Sequence, residues 1–240
     1  MNNKKIESKI KLTPKTAYLV GVIIGDGHIV NSSKSKTDHS TDYQIRIDIS
    51  DKEYLVYLSK VIKSLIYTKS QPQSPKIYGN RMERLYFQVR NKRLFKFLSE
   101  EMEIPKGAKS SIVFVPNKIK NSSKEIKSCF LAGYFDTDGG FRGNSLGFTT
   151  ASQILHKGTI ELLNEFGIKH LKERWTNKRY NKEFYGIRIY KGEIDKFLKL
   201  LPLQNTEKLE RINKRFKCED AGVAKRDRFS QEMSKLRSLL

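Results

Sequence analysis

The sequence predicts an α+β protein built from two pseudo-symmetric units, each with the order α-β-β-α-β-β-α. The first observation is a nine-residue pattern that occurs twice, as LVGVIIGDG at residues 19–27 and LAGYFDTDG at residues 131–139. The second is that segments with alternating apolar and polar residues, typical of half-buried strands, follow each copy and are interleaved with segments of helical spacing. A repeated order of elements after a repeated motif indicates two related units.

The elements are predicted in the following order. Helices are expected at about residues 13–25, 51–67, 92–102, 124–138, 153–166 and 193–201, and strands at about 43–49, 85–90, 141–150, 168–176 and 184–190. The corresponding boundaries are a basic lead-in over residues 1–12, an N-terminal half over 13–109, a linker over 110–124, a C-terminal half over 125–204, and a charged helical tail over 205–240.

Each copy of the repeated pattern predicts a buried helix with one face of small residues. These residues fall four apart, so they share one side of a helix: Gly21 and Gly25 in the first copy, Gly133 and Thr137 in the second. Such a face lets two helix backbones approach closely. We therefore predict that the two motif helices pack on each other at the centre of the protein.

Each copy also ends in Asp-Gly, and packing of the helices would bring the carboxylates of Asp26 and Asp138 to the same end of the pair. Hard oxygen ligands at this position suit Mg²⁺, which binds few carboxylates and keeps waters and phosphate oxygens in its shell; Mn²⁺ or Ca²⁺ could occupy the same site. Such an ion can activate a bound water and stabilise a leaving oxygen. The alternative for Asp26 alone is a helix-terminal Asp in an Asp-Gly turn.

The charge balance indicates a polyanionic partner. There are 47 Lys and Arg against 26 Asp and Glu, a formal net charge of +21, which exceeds what solubility requires. Nucleic acid is the first candidate; a membrane ranks low, because no stretch is long and apolar enough to span a bilayer. With only Cys129 and Cys218, the chain is expected in a reducing, intracellular compartment, such as the cytoplasm, the nucleoid or an organelle that contains DNA.

Through the two motifs, the chain resembles the LAGLIDADG family of homing endonucleases in the single-chain form. The similarity is tight over the motifs and looser over the rest of residues 13–210. One copy would be weak evidence, because a buried helix ending at a Gly cap gives a similar string. The resemblance implies antiparallel sheets that form a DNA-binding saddle, and a monomer that cuts both strands of a long asymmetric target.

The resemblance also implies roles for residues at the motif ends. In the family, one acid comes from each motif and the preceding carbonyl assists, which corresponds here to Asp26 with Gly25 and Asp138 with Thr137. At the first acid position of the family pattern the second copy has Asp136, for which we expect a buried, hydrogen-bonded role and no metal.

Family members place a basic residue near each active centre, after the last helix of each half. Lys109 is the best match in the first half and Lys208 is a looser match in the second. Their role would be to polarise water or to stabilise the charge of the transition state. The alternative for each is an ordinary solvated lysine.

Polar side chains on the predicted strands have the chemistry that reads base edges in a major groove. The predicted base-reading residues are Gln44, Arg46, Asp48, Tyr86, Gln88 and Arg90 in the first half, and Arg142, Asn144, Lys172, Arg174, Arg188 and Tyr190 in the second. The predicted phosphate contacts are Lys34, Lys36, Lys178 and Lys182. The alternative is a solvated sheet face, which would mix charges more evenly.

The leading functional hypothesis is therefore a Mg²⁺-dependent, site-specific endonuclease acting on double-stranded DNA. The alternatives are an RNA splicing maturase, with intron RNA as partner, or a DNA-binding regulator of the same fold that does not cut. Loss of one motif acid would favour these alternatives, and both acids are present. Neither chain end has the nucleophile and Asn pattern of a self-splicing intein, so we expect a free-standing or intron-encoded protein.

Overall fold

The computed structural model describes residues 9–33, 41–73, 85–179 and 181–216. The predicted phosphate contacts Lys34 and Lys36 lie outside the described residues, as do residues 1–8 of the predicted lead-in and residues 217–240 of the predicted tail.

Helices and strands alternate along the described chain much as predicted. The helices are α1 (Pro14–Gly25), α2 (Lys52–Leu65), α3 (Lys92–Lys96), α4 (Asn117–Lys120), α5 (Lys124–Asp138), α6 (Gln153–Glu165), α7 (Ile194–Leu200) and α8 (Thr206–Phe216). A π-helical turn, Phe97–Glu101, continues α3, and a 3₁₀ turn, Lys191–Glu193, precedes α7. The strands are β1 (Gly27–Ser33), β2 (Thr41–Ile49), β3 (Leu85–Arg90), β4 (Gly139–Arg142), β5 (Ser145–Thr150), β6 (His170–Asn177) and β7 (Lys182–Ile189).

The strands form two antiparallel sheets that confirm the predicted α+β class. The first sheet has the order β1-β2-β3 and the second has the order β4-β5-β7-β6. In the first sheet, Gln73 forms a single antiparallel bridge with Tyr86 of β3, at the place that corresponds to β6 beside β7. We refer to α1 through the π turn as the first half, and to α5 through α7 as the second half.

Local signals fix the starts of both motif helices. Thr13 caps α1 in a capping box with Thr16, and Pro14 occupies the first turn, where its missing N–H costs nothing. Ser123 caps α5 by accepting a hydrogen bond from the backbone N–H of Ile126. Caps of this kind each stabilise a helix by about 1 kcal/mol. Each helix that carries a motif acid therefore begins at a residue fixed by a local cap.

The two motif helices pack with their backbones in contact. A Cβ atom at Gly21 would lie 2.7 Å from the backbone nitrogen of Tyr134, and a Cβ at Gly133 would lie 2.9 Å from the carbonyl carbon of Tyr18. A Cβ at Gly25 would lie 2.7 Å from Cβ of Thr137. Real Cβ atoms do not approach backbone this closely, so glycine is required for the observed distance between the helices.

Segments outside the two halves are also packed into the core. The predicted linker contributes the buried residues Val113, Val115 and Ile119, the last of them on α4. The described part of the predicted tail is α8, whose Leu209 and Ile212 are buried. Across the described ranges, no helix combines the length and the apolar character needed to cross a membrane.

Candidate active site

The C-terminal ends of α1 and α5 meet at a cleft of about 340 Å³. Asp26 follows the last residue of α1 as its C-cap, and Asp138 is the last residue of α5. Both aspartates line the cleft, and the carboxyl carbon of Asp138 is 3.4 Å from where a Cβ of Gly25 would lie. The structure thus brings the two motif acids together at one end of the helix pair.

Lys109 lies against the end of the first motif helix. Its Nζ atom donates hydrogen bonds to the carbonyl oxygens of Ile24, at 2.5 Å, and Gly25, at 2.9 Å. Burial lowers the pKa of Lys109, while the carboxylates of Asp138 and Asp26 act in the opposite direction. A cation at this position complements the negative C-terminal end of the helix dipole.

Lys208 occupies the equivalent place on the second motif helix, reaching it from the first turn of α8. Its Nζ atom donates to the carbonyl oxygens of Phe135, Asp136, Thr137 and Gly139 at 2.8–3.1 Å. Burial also lowers the pKa of Lys208, opposed by the nearby aspartates. Neither Lys109 nor Lys208 is therefore a solvated surface lysine, and each is held at the end of one motif helix.

The donor set at the cleft suits a hard divalent cation. Mg²⁺ commonly takes one or two protein carboxylates and fills its remaining positions with water and phosphate oxygens. In the described ranges, no group of three or more His, Cys, Asp or Glu side chains forms a ready-made metal cage. The carbonyls of Gly25 and Thr137 each accept a hydrogen bond from a lysine, which leaves one lone pair on each oxygen for another partner.

Asp136 also lines this cleft, and it is buried and hydrogen-bonded, as expected. Its Oδ2 atom accepts hydrogen bonds from the Tyr18 hydroxyl at 2.6 Å and from the backbone N–H groups of Gln204, at 2.7 Å, and Asn205, at 3.3 Å. Burial raises the pKa of Asp136 to about 6, although these hydrogen bonds and Lys208 lower it. The aspartate is tied to both motif helices and to the segment that leads into α8.

In the first sheet, the alternation predicted from the sequence is observed. Ile45, Ile47 and Ile49 are buried, and the six predicted base-reading residues of this half share the opposite face. The guanidinium of Arg46 donates to Asp48 and lies 4.1 Å from the ring centroid of Tyr86.

His28 also belongs to this face, although the sequence pattern did not predict it there. His28 of β1 pairs with Arg46 and therefore points to the same side of the sheet. The signal was available, because β1 begins at the glycine of the motif's Asp-Gly and pairs with the predicted strand.

The outer face of the second sheet is organised around Glu173. Arg142 donates to Glu173 Oε2 from Nε at 3.0 Å and from Nη2 at 2.5 Å, and Arg188 also hydrogen-bonds to Glu173. Although burial acts to raise the pKa of Glu173, the hydrogen bonds from the two arginines hold it below its ordinary value. Arg142 also lies 4.8 Å from the ring centroid of Trp175.

Two predicted members of this face lie on the other side of the sheet. Lys172 pairs with Ile187 and Arg174 pairs with Tyr185, and both partners are buried on the side that faces the core. The prediction of a shared face with Arg188 was wrong, because β6 is an edge strand with polar residues on both sides and its sequence does not reveal the register. Leu171, Glu173 and Trp175 occupy the outer face of β6 instead.

The remaining predicted contacts lie at turns and strand ends. Asn144 is in the turn between β4 and β5, where its side-chain oxygen accepts a hydrogen bond from Arg215 of α8. Tyr190 directly follows β7, and Lys178 lies in the turn after β6. Lys182, at the start of β7, donates to the hydroxyl of Ser110 at 3.0 Å.

Comparison with known proteins agrees with this fold. Residues 125–202 match the model of the LAGLIDADG-like domain. The structure of I-DmoI in complex with DNA and Ca has a TM-score of 0.63 and 19% identity, over 85% of this chain and 100% of that one. The structure of I-WcaI bound to its DNA recognition sequence has a TM-score of 0.61 and 18% identity, over 88% of this chain and 94% of that one.

Two curated relatives are longer proteins. The chain is 27% identical over 208 residues to the replication factor C small subunit of Methanocaldococcus jannaschii, and 28% identical over 200 residues to that of Thermococcus kodakarensis. These matches cover 86% and 82% of this chain but only 10% and 21% of the two relatives. The similarity concerns a segment of each relative.

The protein is an α+β protein with paired motif helices between two antiparallel sheets. It has the fold of the LAGLIDADG homing endonucleases, and its second half carries a LAGLIDADG-like domain. The resemblance indicated by the two sequence motifs is therefore confirmed.

Proposed function

We propose that this chain is a divalent-metal-dependent endonuclease that cleaves both strands of a long, asymmetric DNA site as a monomer, encoded by an intron or as a free-standing protein. One observation carries the proposal. Asp26 and Asp138, one from each motif helix, line a single cleft, and a half-buried lysine lies at the end of each helix. The two acids and two lysines supply one aspartate and one lysine for the cleavage of each DNA strand.

The residues divide the chemical work as follows. The carboxylates of Asp26 and Asp138 would hold Mg²⁺, with assistance from the carbonyls of Gly25 and Thr137. When bound, the ion lowers the pKa of a coordinated water and stabilises the leaving oxygen. The ammonium groups of Lys109 and Lys208 stabilise the charge that develops on the phosphate, since they are partly removed from water, where charge interactions are stronger.

The two sheets supply the DNA-binding surface in this proposal. Their outer faces carry different residues, with Arg46, Gln88 and Arg90 on the first and Arg142 and Arg188 on the second. Non-identical faces on a single chain favour a target without two-fold symmetry. The net charge of +21 supports strong attraction to the phosphate backbone.

A cleavage selection tests the proposal directly. The protein is incubated with a randomised DNA library and Mg²⁺, and the cut ends are sequenced; a chelator and the double variant Asp26→Asn with Asp138→Asn are the controls. We expect one consensus site, cut on both strands only when metal and both acids are present. Specific binding without any cutting would instead support the non-cleaving regulator, and preferential binding of structured intron RNA would support the maturase.

A further inference from the structure

The two lysines at the ends of the motif helices make similar contacts but are held by different parts of the fold. Lys109 lies in the loop between the π turn and α4, and its own carbonyl accepts hydrogen bonds from the backbone N–H groups of Ile112 and Val113. Lys208 lies in the first turn of α8, a helix that follows the second half and has no equivalent among the described elements of the first. The position of Lys208 therefore depends on what fastens the start of α8 to α5.

Asp136 makes that connection. Its Oδ2 atom accepts from the backbone N–H groups of Gln204 and Asn205, the two residues that precede α8. Asn205 in turn donates from Nδ2 to the carbonyl oxygen of Asp136 at 3.4 Å, and its Oδ1 atom accepts from the backbone N–H of Lys208 at 2.9 Å. These bonds run continuously from α5 to the backbone of Lys208.

The first half has no such connection at the corresponding motif position. Ile24 stands where Asp136 stands in the second motif, and its side chain is buried and apolar. Dependence on a motif carboxylate is therefore expected for the lysine at the end of α5 and not for the lysine at the end of α1.

We propose that Asp136 is a positioning residue for Lys208. By holding the Gln204–Asn205 backbone, it places Nζ of Lys208 against the carbonyls at the end of α5. The catalytic consequence rests on the proposed nuclease function: the centre that uses Lys208 depends on Asp136, and the centre that uses Lys109 does not.

Two tyrosines of the first half allow a matched control. Tyr18 has a single hydroxyl proton, which it donates to Asp136, so Tyr54, 2.7 Å away, must be the donor in the bond between the two hydroxyls. Tyr18→Phe removes one hydrogen bond to Asp136 and leaves its contacts with Gln204 and Asn205 in place. Comparison of Tyr18→Phe with Asp136→Ala therefore separates the effect of losing one buried hydrogen bond from the effect of losing the connection to α8.

The first test measures the reactivity of the amines in the metal-free protein. Each lysine is modified with an acylating reagent, and the rates at Lys208 and Lys109 are compared by mass spectrometry. Asp136→Ala should expose Lys208 and raise its rate severalfold while the rate at Lys109 stays unchanged. Asp136→Asn, which keeps an acceptor oxygen, and Tyr18→Phe should retain wild-type rates at both.

An unchanged rate at Lys208 in folded Asp136→Ala, or an equal rise at both lysines, would overturn the proposal. Should Asp136→Ala fail to fold, Asn205→Ala breaks the same connection at its next step. This variant should also raise the rate at Lys208 alone, and wild-type reactivity there would again overturn the proposal.

The second test uses the selected target with each DNA strand labelled. Asp136→Ala should slow cleavage of one strand by roughly 10- to 100-fold through misplacement of Lys208, and nicked DNA should accumulate. Lys208→Met should slow the same strand. Equal slowing of both strands would overturn the proposal. Failure of the wild type to cut any DNA would instead refute the proposed function, and the amine test would still decide the role of Asp136.

Discussion

The hydroxyl of Tyr18 donates a 2.6 Å hydrogen bond to Oδ2 of Asp136, which joins the first motif helix to the second through a buried polar contact. Close packing of glycines brings the two helices together, with Gly21 and Gly133 each against the backbone of the other helix. A buried hydrogen bond between defined side chains selects one register, because any other leaves polar groups without partners. The glycine packing and this bond together align Asp26 with Asp138.

Close contact between the motif helices predicts a large cost for even one added methyl group. Gly133→Ala should lower the free energy of unfolding by about 1–3 kcal/mol, and Gly21→Leu or Gly133→Leu by at least that much, through overpacking. Urea denaturation measures the change. Gly192→Ala is the matched control, since no atom lies within 4 Å of a Cβ added there; equal stability of Gly133→Ala and the wild type would contradict the packing.

The two motif acids should be needed for cutting but not for binding. Asp26→Asn and Asp138→Asn remove a negative ligand while keeping the shape of the side chain, so each should abolish double-strand cleavage and leave DNA affinity largely intact. Plasmid cleavage and gel-shift assays on the same samples measure both properties. Full cutting by either variant would remove that residue from the metal site.

The two faces of the second sheet offer a matched pair of arginines. Arg188 lies on the outer face and Arg174 on the side of the buried Tyr185. Arg188→Ala should relax preference at one or two base pairs, at a cost of roughly 1–3 kcal/mol each, whereas Arg174→Ala should leave base preference unchanged. Binding selections on sequence libraries compare the variants, and a base-specific loss from Arg174→Ala alone would reverse the assignment of the faces.

Salt dependence should distinguish phosphate contacts from base contacts. Each neutralised phosphate contributes about −0.9 to the slope of log K against log salt. Lys178→Ala should weaken binding evenly across sequences. It should also reduce the magnitude of this slope by about 0.9, the contribution of one phosphate contact. Titrations of binding at several salt concentrations measure the slope; salt-insensitive binding of the wild type would argue against nucleic acid as the partner.

The network around Glu173 should stabilise the fold in a pH-dependent way. Its pKa is lowered from the ordinary value of 4.5, so the folded state favours the charged form. The stabilisation is therefore present above pH 4.5 and is lost as the pH falls through the folded pKa. Glu173→Gln should be less stable than the wild type at pH 7, and the difference in the free energy of unfolding should shrink on acidification. A difference that stays constant with pH would contradict a stabilisation that depends on the charge of Glu173.

The sequence by itself determined the two motif helices, their small-residue faces and the acids at their ends. These follow from local spacing, because residues four apart share a helix face whatever surrounds them. It also determined the outer face of β2 and β3, since an apolar residue at every second position leaves only one orientation towards the core.

Tertiary structure alone decided which residues of β6 face outwards and which carbonyls Lys109 and Lys208 contact. Leu171 and Lys172 could each have faced outwards, because an edge strand with polar residues on both sides takes its register from pairing with β7. Lys208 reaches the carbonyls of α5 only because α8 folds back onto residues some seventy positions earlier in the chain. Such contacts between distant segments depend on the packing of the whole core, and no local pattern encodes them.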